Sequence, residues 1–144
     1  SKINLSEFLS SIEDFSKTVE IKPDHLKAYF NRAYARDETG DYIGAIKDYD
    51  IVIERNPIYK NVYYNRAFSK IKLKNFKGAI DDYTITIKID SNHKYSYVNR
   101  GILKENLSDL KGACNDWFKA ARLGEKAAQE WVNDQCANQR SISN

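Results

Sequence analysis

Asn31, Asn65 and Asn99 recur every 34 residues, and Arg32, Arg66 and Arg100 follow them directly. An amide carries two donors and an acceptor, so a regular row of amides can pair with the backbone of an extended peptide whatever its sequence. The same row can instead bond neighbouring helices and set how they stack, and the residues alone leave both uses open. The arginines would suit phosphate or acidic ligands, but an aspartate lies sixteen residues after each: Asp48, Asp82 and Asp116. With a turn midway, each arginine and its aspartate reach the same height on adjacent antiparallel helices. Arginine–carboxylate pairs there would satisfy partly buried groups and fix helix register. That structural use is favoured over ligand binding.

The remaining reactive side chains are few. Cys114 lies ten residues before Gly124 and Cys136 twelve after it. On paired helices rising about 1.5 Å per residue, they differ in height by roughly 3 Å. They are expected to be neighbours, as a disulfide or as two buried thiols, and with no sign of secretion the reduced pair is favoured. His25 and His93 occupy equivalent loop places two periods apart and cannot share a site, so both read as turn residues. No Gly-rich phosphate loop, nucleophile elbow or zinc-helix motif occurs. The chain reads as no enzyme, with no catalytic residue, no metal site and no cofactor.

The elements that carry these residues follow from apolar spacing. Tyr42, Ala45, Ile46, Tyr49, Val52 and Ile53 form an i, i+3, i+4, i+7 stripe, the mark of a helix with one buried face. Before it, Tyr29, Ala33 and Ala35 make a shorter helix, and Gly40-Asp41 breaks and restarts the chain with Asp41 as N-cap. Asn56-Pro57 ends the unit. The unit recurs at 60–73 with 76–89 and at 94–107 with 110–122. Repeats therefore span 26–59, 60–93 and 94–124, behind a half repeat at 1–25. In the half repeat, Ser6 to Pro23 reads as the second helix of an earlier repeat, and Ser1 to Leu5 as the remnant of its partner. Glu125 to Cys136, with Ala127, Ala128, Trp131 and Val132 on one side, reads as a capping helix, and 137–144 as a polar, frayed tail. A period of this length predicts a solenoid of antiparallel helix pairs, about eight helices in all. Ser1 in place of an initiating Met, ahead of a partial repeat, reads as a processed fragment.

Bulk composition narrows the class. The chain is 42% hydrophobic and 30% charged, with a net charge of +3 interspersed with acids. A nucleic-acid reader would concentrate its basic residues, so no nucleic-acid partner is implied. Low hydropathy excludes membrane insertion, and the compartment reading leans cytoplasmic.

The motif set Tyr29, Gly40, Tyr42, Ala45, Tyr49 and Pro57, echoed in the other copies, resembles the tetratricopeptide repeat over residues 1–136. The Asn-Arg-Ala/Gly variant, and the ending from Gly112-Ala113-Cys114 through Trp131 to Cys136, are similar to bacterial members. Lys74 and Ser108 stand where the family has a turn glycine, and Ser91 and Glu125 where it has a terminal proline. Those turns are expected to be less tightly set. The resemblance implies a right-handed superhelix whose first helices line a concave groove, and a protein-interaction role with a protein or peptide partner. Members that grip the carboxylate of heat-shock chaperones carry Lys, Asn, Asn, Lys and Arg where this chain has Phe30, Tyr34, Asn65, Tyr95 and Asn99; only Asn65 matches. An apolar or aromatic peptide suits the groove better. The expected peptide-binding residues are Lys27, Phe30, Asn31, Tyr34, Tyr64, Asn65, Phe68, Tyr95, Asn99 and Ile102. The rival readings are self-assembly into a homo-oligomer through the front half repeat, and service as the docking domain of a larger enzyme.

Overall fold

The protein is all-α. The computed structural model describes residues 2–137. Among them are eight helices: α1 (Lys2–Ile21), α2 (Leu26–Glu38), α3 (Tyr42–Arg55), α4 (Val62–Lys72), α5 (Phe76–Ile89), α6 (Lys94–Asn106), α7 (Leu110–Arg122) and α8 (Lys126–Gln135). They form two compact units, residues 1–75 with α1 to α4 and residues 76–144 with α5 to α8.

In the first unit each helix packs against the next, because connections this short leave antiparallel contact as the way to cover an apolar stripe. Ala45, Tyr49 and Val52 of α3, at i, i+4 and i+7, are fully buried together with Ala33 of α2 and Val62 and Ala67 of α4. In the second unit α5, α6, α7 and α8 again pack in sequence. Its core joins Tyr97 of α6, Ala113, Cys114, Trp117 and Ala120 of α7, and Ala128 and Val132 of α8. Trp117 stands one period after Tyr83, and Gly101 one period after Ala67. The two departures belong together. A Cβ on Gly101 would collide with the Trp117 indole, 2.7 Å from its Cδ1, so the bulkier ring is accommodated by removing a methyl group from the facing helix.

The turns are more uniform than the sequence suggests. Gly40 ends α2 with φ of 87°, and Lys74 and Ser108 take the same left-handed conformation at 62° and 66°. Each is followed by the same bond: Asp41 N–H to Arg36 O at 2.9 Å, Asn75 N–H to Lys70 O at 2.8 Å and Asp109 N–H to Lys104 O at 2.8 Å. The expectation of looser turns is therefore corrected. The backbone closes identically and the non-glycine residues bear the strain. Ser91, in the place of a proline, keeps the bond that the proline turn makes: Tyr97 Oη donates to its carbonyl at 3.1 Å, as Tyr63 Oη donates to Pro57 O at 2.8 Å. Ser108→Gly and Lys74→Gly are each expected to stabilise the protein by about 1 kcal/mol, read as a rise in the urea midpoint.

Helix starts also obey local chemistry. Asp41 Oδ1 accepts the Gly44 N–H and Asp109 Oδ1 the Gly112 N–H, both at 2.9 Å. His25 and His93 are turn residues with a defined task, each ring Nδ1 accepting the N–H three residues on, at 3.1 and 3.3 Å. Tyr59 occupies the equivalent place in the middle repeat, where α4 starts late at Val62 with no side-chain cap. At the front, Lys2 to Leu5 continue α1 and are not the remnant of a preceding helix.

Cys114 and Cys136 are joined as a disulfide, Cα to Cα 5.7 Å, where the sequence reading favoured thiols. The paired heights brought them together as expected. What spacing could not supply is that Cys136 folds in from the end of α8 to full burial against α7. Of the expected tail, residues 138–144 lie outside those described.

Candidate peptide-binding surfaces

The arginine row is architectural where it is described. Arg32 of α2 grips Asp48 of α3 through Nε and Nη2, both at 2.8 Å. Arg100 of α6 grips Asp116 of α7 in the same way at 2.8 and 2.6 Å. A second cation one turn later completes each site: Arg36 at 2.8 Å from Asp48 and Lys104 at 3.1 Å from Asp116. Burial alone would disfavour the Arg32 charge, but its bond to Asp48 prevails and raises its pKa. The arginines also reach backwards by sixteen residues, to Ser16 Oγ from Arg32, Asp50 from Arg66 and Thr84 Oγ1 from Arg100. Each guanidinium thereby stands between the helix before its own and, for Arg32 and Arg100, the helix after. Arg66 belongs to the first unit and Asp82, fully buried, to the second.

The asparagine row divides. The Asn65 side chain bonds the Tyr49 hydroxyl inside the first unit, a structural use. Asn31 is half-buried and makes no side-chain hydrogen bond to a described residue. It lines a cleft of about 400 Å³ together with Lys27, Phe30, Ile58, Tyr59 and Lys60. The cleft floor is aromatic: Phe30 lies 5.3 Å from the Tyr59 ring and 5.8 Å from Tyr49. At its lip Ile58 is 73% exposed. Ile58, Tyr59 and Lys60 escape a reading confined to helix faces, because they lie in the turn between α3 and α4 and only folding brings them beside Lys27.

The other expected contacts are distributed over both units. Tyr34 and Phe68 are exposed, each set edge-on to an aromatic ring of the preceding second helix, Phe8 and Tyr42, at 6.3 Å in both cases. Lys72 Nζ lies 5.3 Å over the Phe68 ring. Tyr64 is half-buried. In the second unit Tyr95 is exposed beneath Lys94 Nζ at 5.2 Å, Asn99 is half-buried, and Ile102 packs against the core. Lys27, Phe30 and Asn31 are thus brought together in one cleft, with Tyr34 a turn further along α2.

A polar network lies behind this surface. Asp37 of α2, buried, accepts from Tyr49 Oη at 3.1 Å and from Ser69 Oγ at 2.6 Å. Its pKa is raised to about 6, chiefly because burial penalises the carboxylate and secondarily by Glu38 and Asp41, against the lowering bonds from Ser69 and Tyr49. Tyr49 is pushed upward in turn, first by burial and then by Asp37. Among the described residues no cluster of metal-ligating side chains forms, and no helix is long and apolar enough to cross a membrane.

The family model for the tetratricopeptide repeat matches residues 26–59, the first full copy of the period. No curated protein sequence matches the chain. Among solved structures, a crystal structure of MamA superposes with a TM-score of 0.77 at 24% identity, over 82% of this chain and 69% of that one. MamA from Desulfovibrio magneticus RS-1, residue 41 to the end, gives a TM-score of 0.78 at 17% identity over 84% and 68%. Identity at this level speaks for the fold alone. Residues 26–59 thus match a tetratricopeptide repeat, set in an all-α fold that the chain shares with MamA.

Proposed function

We propose that the protein is an interaction module which binds a peptide segment of a protein partner, and that the first unit holds its principal contact in the cleft at the start of α2. The observation that carries this reading is Asn31. Its amide has no bond within the described residues, yet it borders an aromatic-floored cleft rimmed by Lys27 and Lys60. An amide placed so can take one backbone N–H and one C=O of a bound peptide, while Phe30, Tyr59 and Ile58 receive an apolar side chain. Asn65 is assigned the supporting role, since its bond to Tyr49 stiffens the wall behind Phe30.

The test uses a peptide selected from a displayed random library on the intact protein, with affinities measured by calorimetry. Asn31→Ala is expected to weaken it about tenfold, the loss of roughly one to two hydrogen bonds, with unfolding unchanged. Asn65→Ala is expected to lower stability instead, by about 1 kcal/mol or more, because the Tyr49 hydroxyl loses a partner. Unaltered affinity in Asn31→Ala would remove the cleft from the reading.

A further inference from the structure

The cleft beside Asn31 is lined from within the first unit, by the start of α2 and the turn between α3 and α4. None of its lining residues belongs to α1. Its charge is one-sided. Lys27 and Lys60 stand on the rim, both exposed, and no described carboxylate lines it. Neither lysine makes an ion pair with a described residue. Asp24, the acid nearest Lys27 in sequence, lies with Arg55 at 3.8 Å.

A lysine at this place in the period can be neutralised inside the chain. Lys94, 34 residues after Lys60, meets Glu125 at 2.9 Å. Ser91 holds the matching place after Lys60 and brings no charge. The backbone adds to the imbalance. α4 begins at Asn61 with no side-chain cap, so no acceptor from that residue offsets the positive end of the helix. Beneath this rim the floor is apolar, with Phe30 5.3 Å from Tyr59 and Ile58 exposed at the lip. A wholly acidic segment would leave that floor wet. A wholly apolar one would strip water from two lysines and give them no counter-charge.

We propose, resting on the reading of this cleft as a peptide site, that its occupant is an internal peptide segment in which Asp or Glu stands within two residues of a large apolar side chain. The apolar side chain stacks on Phe30 and Tyr59, and the carboxylate lies between the two ammonium groups. Lysine suits this use, because its charge rides on a flexible stem that can follow a carboxylate from either side. An internal segment fits better than a chain end, since the donor and acceptor of Asn31 match a backbone that continues past the cleft. Exposed ion pairs are individually weak, so selectivity comes from two lysines acting on one carboxylate, and it falls with salt.

The test presents a random peptide library to the intact protein as an internal segment, flanked on both sides by carrier chain; a parallel library ends at a free C-terminus. Selected internal segments are expected to carry Asp or Glu within two residues of Phe, Tyr, Trp, Leu or Ile. Selection on the Lys27→Glu, Lys60→Glu double variant is expected to exchange the acid for Lys or Arg and to keep the apolar residue. One selected segment, synthesised with both ends blocked, is then titrated by calorimetry. It is expected to bind the Lys27→Gln, Lys60→Gln double variant about tenfold more weakly, with its salt dependence lost. Replacing the segment's own acid by its amide is expected to weaken binding to the parent by the same factor, and to the double variant no further. Both lysines are exposed, so the unfolding midpoint is expected to stay where it is. No acidic preference, or equal affinity in the double variant while Asn31→Ala still weakens binding, overturns this inference and leaves the cleft reading standing. Acidic preference confined to the free C-terminus library also overturns it, by giving the lysines to a terminal carboxylate. A library that yields no segment sensitive to Asn31→Ala overturns both.

Discussion

Replacing Arg100 with Met is expected to destabilise the protein by about 3–5 kcal/mol, the range for leaving a buried charge without its main partner. Asp116 is 4% exposed and takes two bonds from this guanidinium. Methionine keeps the aliphatic stem, so the loss is electrostatic rather than one of packing. Lys104 remains within reach at 3.1 Å but supplies a point charge in place of a fork. The decisive comparison is the double variant Arg100→Met with Asp116→Asn, which removes the stranded charge and is expected to be more stable than Arg100→Met alone. If the double variant is as unstable as the sum of the singles, the arginine acts through some contact other than Asp116, such as Thr84. Chemical denaturation at neutral pH, followed by circular dichroism, reads all four proteins.

Asp37 sets the second large expectation, in the pH dependence of folding. Its carboxyl titrates near 3.8 when unperturbed and at about 6 in the folded protein, so between these values the native state holds a proton the unfolded chain has released. Stability from this group is therefore full below about pH 4 and is lost as pH rises through about 6. A displacement of about two pH units corresponds to roughly 3 kcal/mol. Asn at this position cannot ionise; it keeps one acceptor oxygen, and its amide nitrogen faces the other hydroxyl, which then accepts in place of donating. Asp37→Asn is expected to be more stable than the parent at pH 7.5 by up to about 3 kcal/mol, with the difference vanishing near pH 4. Equal stability at both pH values would show that water or a moving side chain relieves the buried charge.

Repetition made most of the architecture legible before any coordinates. The period placed each helix because the same apolar stripe, N-cap and turn recur, and sixteen-residue spacing alone paired Arg32 with Asp48 and Arg100 with Asp116. Three features were hidden for definite reasons. The backward bonds to Ser16, Asp50 and Thr84 involve different residue types, so no motif announces them. Lys74 and Ser108 looked like weak turns because side-chain identity was read as conformation, whereas hydrogen bonds from the next residue impose the left-handed geometry on any residue. The cleft beside Asn31 borrows half its lining from a turn, and helical periodicity says nothing about turns. Asn65 shows the converse limit: by spacing it is the twin of Asn31, and only the Tyr49 hydroxyl beside it tells the two apart.

Arrays of stacked helix pairs come apart from their ends, since a terminal helix has neighbours on one side alone. The crosslink between Cys114 and Cys136 closes over 22 residues and ties the final helix to the one before it. Peeling at that end is forbidden while the bond lasts. In the oxidised protein α8 is therefore released only together with α7, and reduction restores its separate opening.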